Sequence, residues 1–247
     1  VIGRWWGLAR SLVMYYGQPW KRRRMERMYA RFVKPGDLCF DVGAHVGNRV
    51  RCFLDLGARV VAVEPQPLCL EVLRRGYGGR PDVTILPVGL SDRPGTATLH
   101  VSTRTPTVST LDAGWIAQVT AADARWAAVA WDERVEVEVR TLDDLVRDHG
   151  EPDFVKIDVE GLELQVLQGL STPVRACSFE YLPPAKDRAL ACVDHLESLA
   201  AYAYSTSVGE SHTFGQEAPW TAAEVRAFLA GLQPGDPSGD VYAVRVG

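Results

Sequence analysis

Two short apolar runs, each ending in a carboxylate, constrain this chain more than any other feature. Leu38-Cys39-Phe40-Asp41-Val42 opens into Gly43-Ala44-His45-Val46-Gly47-Asn48, and a segment with helical spacing continues to Leu56. The pattern predicts strand, tight turn and a helix over 46–56. Val60-Val61-Ala62-Val63 then predicts a second strand, ended by Glu64-Pro65. Proline stops the ladder there and leaves Glu64 at the C-terminal rim of a sheet. A carboxylate about 20 residues beyond a glycine turn is where dinucleotide-type folds hold a ribose. The glycines permit close backbone approach to a ligand, and the first amides of the helix are open donors. The spacing D-x-G-x-x-x-G lacks the G-x-G-x-x-G that cradles a pyrophosphate, so the expected ligand carries a sugar and no pyrophosphate. Asp41, Gly43, His45, Gly47, Asn48, Glu64 and Pro65 are the candidate cofactor-binding residues.

The rest of the chain fits one large α/β domain. With 247 residues and 47% hydrophobic content it can bury a full core. A net charge of −4 gives no signature of nucleic-acid binding. Five widely spaced cysteines without zinc spacing predict buried thiols in a reducing compartment. No run reaches membrane-span length and no signal-peptide pattern is present, so the expected location is cytoplasmic. Residues 1–34 are expected to form an N-terminal helical extension to a domain over 35–247. Met25, Met28, Tyr29 and Phe32 share one helical face, opposite Arg22, Arg23, Arg24, Arg27 and Arg31. The aromatics from Trp5 to Trp20 are expected to pack on the domain, with an anionic membrane surface as the alternative.

Further predicted elements are a helix over 66–75, a strand over 83–86, and two alternating strands over 96–101 and 133–141 that extend the sheet or make a side ribbon. Ser91 and Asp92 follow the third strand and are candidates for base recognition, or a simple turn. Residues 102–132, with Trp115, Trp126 and Trp131, predict either a substrate lid or short surface helices anchored by tryptophan. The second charged strand end is Phe154-Val155-Lys156-Ile157-Asp158, which turns at Val159-Glu160-Gly161 into a helix. Glu160 and Glu163 suit a helix N-terminus, whereas Asp158 at the end of a buried strand points to a ligand, a base or a metal. Glu180 ends another strand, and His212 lies in a glycine-flanked loop.

The strings Phe40 to Gly47, Val63 to Pro67, Val108 to Leu111, Lys156 to Glu163 and Ser178 to Glu180 resemble, in order and spacing, the FkbM-type methyltransferases. The resemblance implies the class I S-adenosylmethionine-dependent fold, a seven-stranded, mostly parallel, Rossmann-like sheet flanked by helices. It further implies that Asp41, Gly43 and Gly47 line the methionine end of the cofactor, Glu64 the ribose, and Asp158 the sulfonium. His45 stands where the family more often has asparagine. S-adenosylmethionine is the expected cofactor, and O-methylation of a small molecule or saccharide the expected reaction. An alcohol acceptor needs a base, for which Asp158, Glu160, Glu180 and His212 are the candidates. The same four could hold a magnesium or manganese ion, which is not the favoured reading. The other readings are an NAD(P)-dependent oxidoreductase and a non-catalytic scaffold of the same fold; homo-oligomerisation is compatible with all three.

Overall fold

The structure, a computed structural model, describes residues 19–122 and 124–247. Its centre is a seven-stranded sheet of β1 (Leu38–Val42), β2 (Arg59–Val63), β3 (Val83–Leu86), β7 (Phe154–Ile157), β8 (Ala176–Tyr181), β9 (Tyr202–Val208) and β10 (Gly239–Arg245). The spatial order is β3-β2-β1-β7-β8-β10-β9. β3, β2, β1, β7 and β8 run parallel, while β10 is antiparallel to both β8 and β9. This is the α/β, mostly parallel arrangement expected from the sequence. β1 and β7 are buried along their whole lengths, which is why they read as unbroken apolar runs rather than alternating ones. Reversal of strand order beside β1 opens a crevice at the C-terminal ends of β1 and β7, where ligands of open α/β sheets bind.

The flanking helices are α1 (Pro19–Tyr29), α2 (Asn48–Asp55), α3 (Pro67–Tyr77), α4 (Ala113–Ala122), α5 (Ala124–Ala127), α6 (Leu142–His149), α7 (Glu163–Gln168), α8 (Lys186–Leu199) and α9 (Ala222–Gly231). Helix α2 starts two residues later than the spacing predicts, because His45 at φ 47° and Gly47 at φ 83° are left-handed and cannot continue a helix. Helix α3 is capped by Gln66, whose Oε1 accepts from the Cys69 amide at 2.9 Å, and it runs past the predicted end through Tyr77. Both α6 and α9 open on capping boxes, Thr141 with Asp144 and Thr221 with Glu224.

Helix α1 contributes to the same core as β1. Met25, Met28, Tyr29 and Phe32 are buried, and the Tyr29 ring meets Phe53 and Phe154 edge-on at 5.0 and 5.6 Å. Its arginines face solvent as expected. Trp20, expected to pack on the domain, is 64% exposed; Trp5 to Tyr16 lie outside the described residues. The alternating strands form a separate three-stranded sheet, β4 (Gly89–Leu90), β6 (Glu133–Arg140) and β5 (Gly95–Val101), with β6 central. All five cysteines are buried and free. Among the described residues no helix is long and apolar enough to cross a membrane.

Candidate active site

Asp41 and Glu64 leave the ends of neighbouring parallel strands, which the register Val42↔Val63 holds side by side. Glu64 is buried, and its two oxygens accept from the His45 amide at 2.7 Å and the Gln66 amide at 2.8 Å. This pair of bonds fixes the carboxylate plane and leaves a second lone pair on each oxygen. Gly43 is required by contact as well as by φ: a Cβ there would sit 1.8 Å from the Asp158 carbonyl oxygen. The β1 turn and the β7 exit therefore touch backbone to backbone. Asp41 is buried beneath them, and its Oδ2 has no hydrogen-bond partner among the described residues.

Lys156 lies inside the sheet with no solvent exposure. Its Nζ is 3.0 Å from Asp240 on β10 and 3.3 Å from Asp158. Burial opposes its charge, but Asp158 and Asp240 outweigh that and hold its pKa well above the ordinary value. Beyond it, Asp158, Glu160 and Glu180 each offer an oxygen within 4.8 Å of the others. Desolvation, then repulsion from Asp158 and Glu163 at Glu160 and from Glu160 and Asp158 at Glu180, pushes both carboxyls well above the usual range. Three carboxylates at that spacing can share a proton or grip a cationic or hydrogen-donating ligand.

A cavity of about 180 Å³ joins these groups. Glu64 and Pro65 line it together with the apolar side chains of Val88 and Leu90, and so do Asp158, Glu160 and Glu180. Residues 107–111 cross over it, anchored where Thr110 Oγ1 donates to the Glu160 carbonyl at 2.7 Å and Gln66 reaches Ser109 at 3.5 Å. Behind that segment Trp115 is fully buried against Trp126 and Trp131, so the tryptophans anchor helices while the preceding loop covers the site. Residues 102–132 thus contain the tryptophan-anchored helices of one reading, and the segment before them contributes Thr107, Ser109, Thr110 and Leu111 to the cavity wall.

Of the residues expected to bind cofactor, Asp41, Gly43, His45, Asn48, Glu64, Pro65 and Asp158 line this cavity. Gly47 does not: its carbonyl accepts from Tyr77 Oη at 3.0 Å, and its place is to pack the turn on α3. Ser91 is also outside, because the chain after β3 bends into the side sheet, where the Ser91 amide donates to the Arg140 carbonyl and its hydroxyl to Asp92. His212 is buried behind the wall, with Nε2 3.1 Å from Glu210, and does not join the other three base candidates. Two lining residues carry no signal in the sequence, Arg49 and Glu210, paired at 3.0 Å.

Desolvation raises the carboxyls of Asp41 and Glu64 to about 7; the two backbone bonds on Glu64 work against it, and the Arg49 and Lys156 charges do so at Asp41. Their protonated forms are favoured in the fold. The stability they lend is complete below the ordinary carboxylate range and is lost as pH rises through about 7. Ligand-free protein is expected to melt lower at pH 8 than at pH 6, by about 2–4 °C per proton and pH unit. Glu64→Gln should flatten part of that slope in thermal melts, and an unchanged slope would remove Glu64 from it.

A family profile described as the methyltransferase FkbM domain matches residues 41–233. Methyltransferase sdnD of Sordaria araneosa is 32% identical over 136 residues, 46% of this chain and 51% of that protein, so the match spans about half the relative's length. Hexuronic acid methyltransferase AglP of Haloferax volcanii is 27% identical over 186 residues, 69% of this chain and 68% of the other. Among solved structures, precorrin-6y C5,15-methyltransferase of Geobacter metallireducens aligns over 91% of this chain and 87% of its own, at 12% identity and a TM-score of 0.47.

Proposed function

The chain belongs to the FkbM methyltransferase family, and on that premise we propose that it is an S-adenosylmethionine-dependent O-methyltransferase acting on a hydroxyl or carboxylate of a small molecule, saccharide or natural-product intermediate. The observation that carries this reading is one cavity lined both by the orientated Glu64 carboxylate and by the Asp158, Glu160 and Glu180 cluster. The donor set fits the cofactor: Glu64 has lone pairs for two ribose hydroxyls, and Val88 and Leu90 supply apolar wall for an adenine. Similarity to a hexuronic acid methyltransferase supports a saccharide acceptor.

When bound, S-adenosylmethionine supplies a methyl group on a sulfonium, already activated for in-line displacement. This chain's residues then have three tasks. Glu64 holds the ribose. Asp158, just beyond β7, would face the cation, and the lining residues of the 107–111 segment would exclude water from it. Glu160 or Glu180 collects the proton of an acceptor hydroxyl, and their raised pKa values place them nearer to that task than an ordinary carboxylate. His212 acts through Glu210 and not on the acceptor.

The test is cofactor affinity. Glu64→Ala should weaken S-adenosylhomocysteine by about ten- to hundredfold in a calorimetric titration, the worth of hydrogen bonds to a charged group. Wild-type affinity in a folded Glu64→Ala protein would refute the ribose assignment.

A further inference from the structure

Six carboxylates and a single guanidinium line the cavity: Asp41, Glu64, Asp158, Glu160, Glu180 and Glu210 against Arg49. S-adenosylmethionine has one anionic group, its α-carboxylate. Among the described residues lining the wall, Arg49 alone brings a permanent positive charge to meet that carboxylate; the other polar groups are carboxylates, His45, or neutral side chains such as Asn48, Ser109 and Thr110. We propose that Arg49 receives the α-carboxylate of the donor and so fixes which end of the molecule enters toward β1. The inference rests on the cofactor reading above and goes beyond it by assigning a residue that the family-like motif does not contain.

Three observations support the assignment. Arg49 is 7% exposed, and its Nε, itself buried, has no hydrogen-bond partner among the described residues. A guanidinium offers five donors in a planar fork that matches a carboxylate in two places, so an unmatched buried edge beside a cavity is a receptor for one. Second, the guanidinium is held in place: Nη2 pairs with Glu210 Oε1 at 3.0 Å, and His212 Nε2 lies 3.1 Å from the other Glu210 oxygen. Glu210 stays ionised well below the ordinary range; burial opposes this, and Arg49 and His212 outweigh it. Third, Arg49 stands in the first turn of α2, whose N-cap Gly47 provides no side-chain cap, so the positive end of the helix faces the same side. A purely structural role would be to tie the loop over 209–212 to α2, and it would leave ligand discrimination untouched.

That difference decides the experiment. S-adenosylhomocysteine and S-adenosyl-3-thiopropylamine, the same molecule without the carboxylate, are titrated calorimetrically into the wild type and Arg49→Met. The wild type should favour S-adenosylhomocysteine by about ten- to hundredfold, and Arg49→Met should bring the two within about threefold of each other. No preference in the wild type, or a preference that survives Arg49→Met, overturns the assignment. Equal weakening of both ligands, with the preference kept, marks Arg49 as structural and likewise overturns it. A folded wild type that binds neither compound refutes the cofactor reading instead. Should Arg49→Met fail to fold, Arg49→Lys keeps the charge without the fork. It should cut the preference several-fold while leaving the thiopropylamine affinity within twofold, and an unchanged preference would again count against Arg49.

Discussion

A Gly43→Ala protein is expected to lose about 2–5 kcal/mol of unfolding free energy. Two costs add at this position. The left-handed φ of 83° costs a residue with a Cβ about 1–2 kcal/mol. The added methyl would also stand 1.8 Å from the Asp158 carbonyl oxygen, and forcing backbone segments apart in a packed site costs about 1–3 kcal/mol. Gly36 separates the two effects, since its φ is 90° but nothing lies within 4 Å of its would-be Cβ. Urea denaturation of Gly43→Ala and Gly36→Ala measures the contact as the difference between them. Equal losses would mean that the β1 turn and the β7 exit can part without cost. Because that contact also sets Asp158 against the β1 turn, on the proposed cofactor reading Gly43→Ala should bind S-adenosylhomocysteine more weakly even where it remains folded.

The second large effect is expected at Lys156. Replacing it with methionine keeps most of the apolar stem but leaves buried Asp240, and Asp158 at the cavity wall, without their shared cation. Breaking a buried pair on one side typically costs about 3–5 kcal/mol, most of it the penalty of the stranded charge. Lys156→Met/Asp240→Asn should therefore be more stable than Lys156→Met alone, and the double-mutant cycle measures the coupling. If the double variant is no better, Asp240 is not the counter-ion that matters. The pKa of the lysine is raised in the fold, so the stability it lends is complete below its ordinary value and is lost only as pH climbs above the raised one. Neutral-pH measurements capture all of it.

How far the sequence discloses this site depends on what each residue contradicts. Asp41, Glu64 and Asp158 are legible because a charge that ends a buried strand violates the pattern around it. The seven-stranded, mostly parallel sheet is implied by the family-like strings, whereas the apolar runs alone give strands without their order. Arg49 violates nothing: an arginine in the first turn of a helix reads as a solvated residue, and only the fold brings the loop over 209–212 onto it. Ser91 misleads for the opposite reason. Position after a strand end predicts a ligand contact, but β4 pairs with β6 immediately beyond β3 and turns Ser91 away. His212 is drawn out of reach by Glu210, a partner two residues off that sequence spacing cannot rank above any other. The Gly161 turn is similar: its φ of 104° and the Trp115 ring 2.4 Å from its would-be Cβ tie α4 to the turn after β7, a contact that sequence spacing does not reveal.

The position of β10 bears on how the protein is made. This strand is hydrogen-bonded on both sides, to β8 through Tyr242↔Ser178 and to β9 through Tyr242↔Ser205, and it carries Asp240, the counter-ion of Lys156. During synthesis β7, β8 and β9 emerge from the ribosome before it does. Over that interval β9 has no neighbour in the sheet, β8 has a bare edge, and the lysine lacks its closest anion. Completion of the sheet and pairing of its buried lysine with its closest anion therefore both wait on the same late strand.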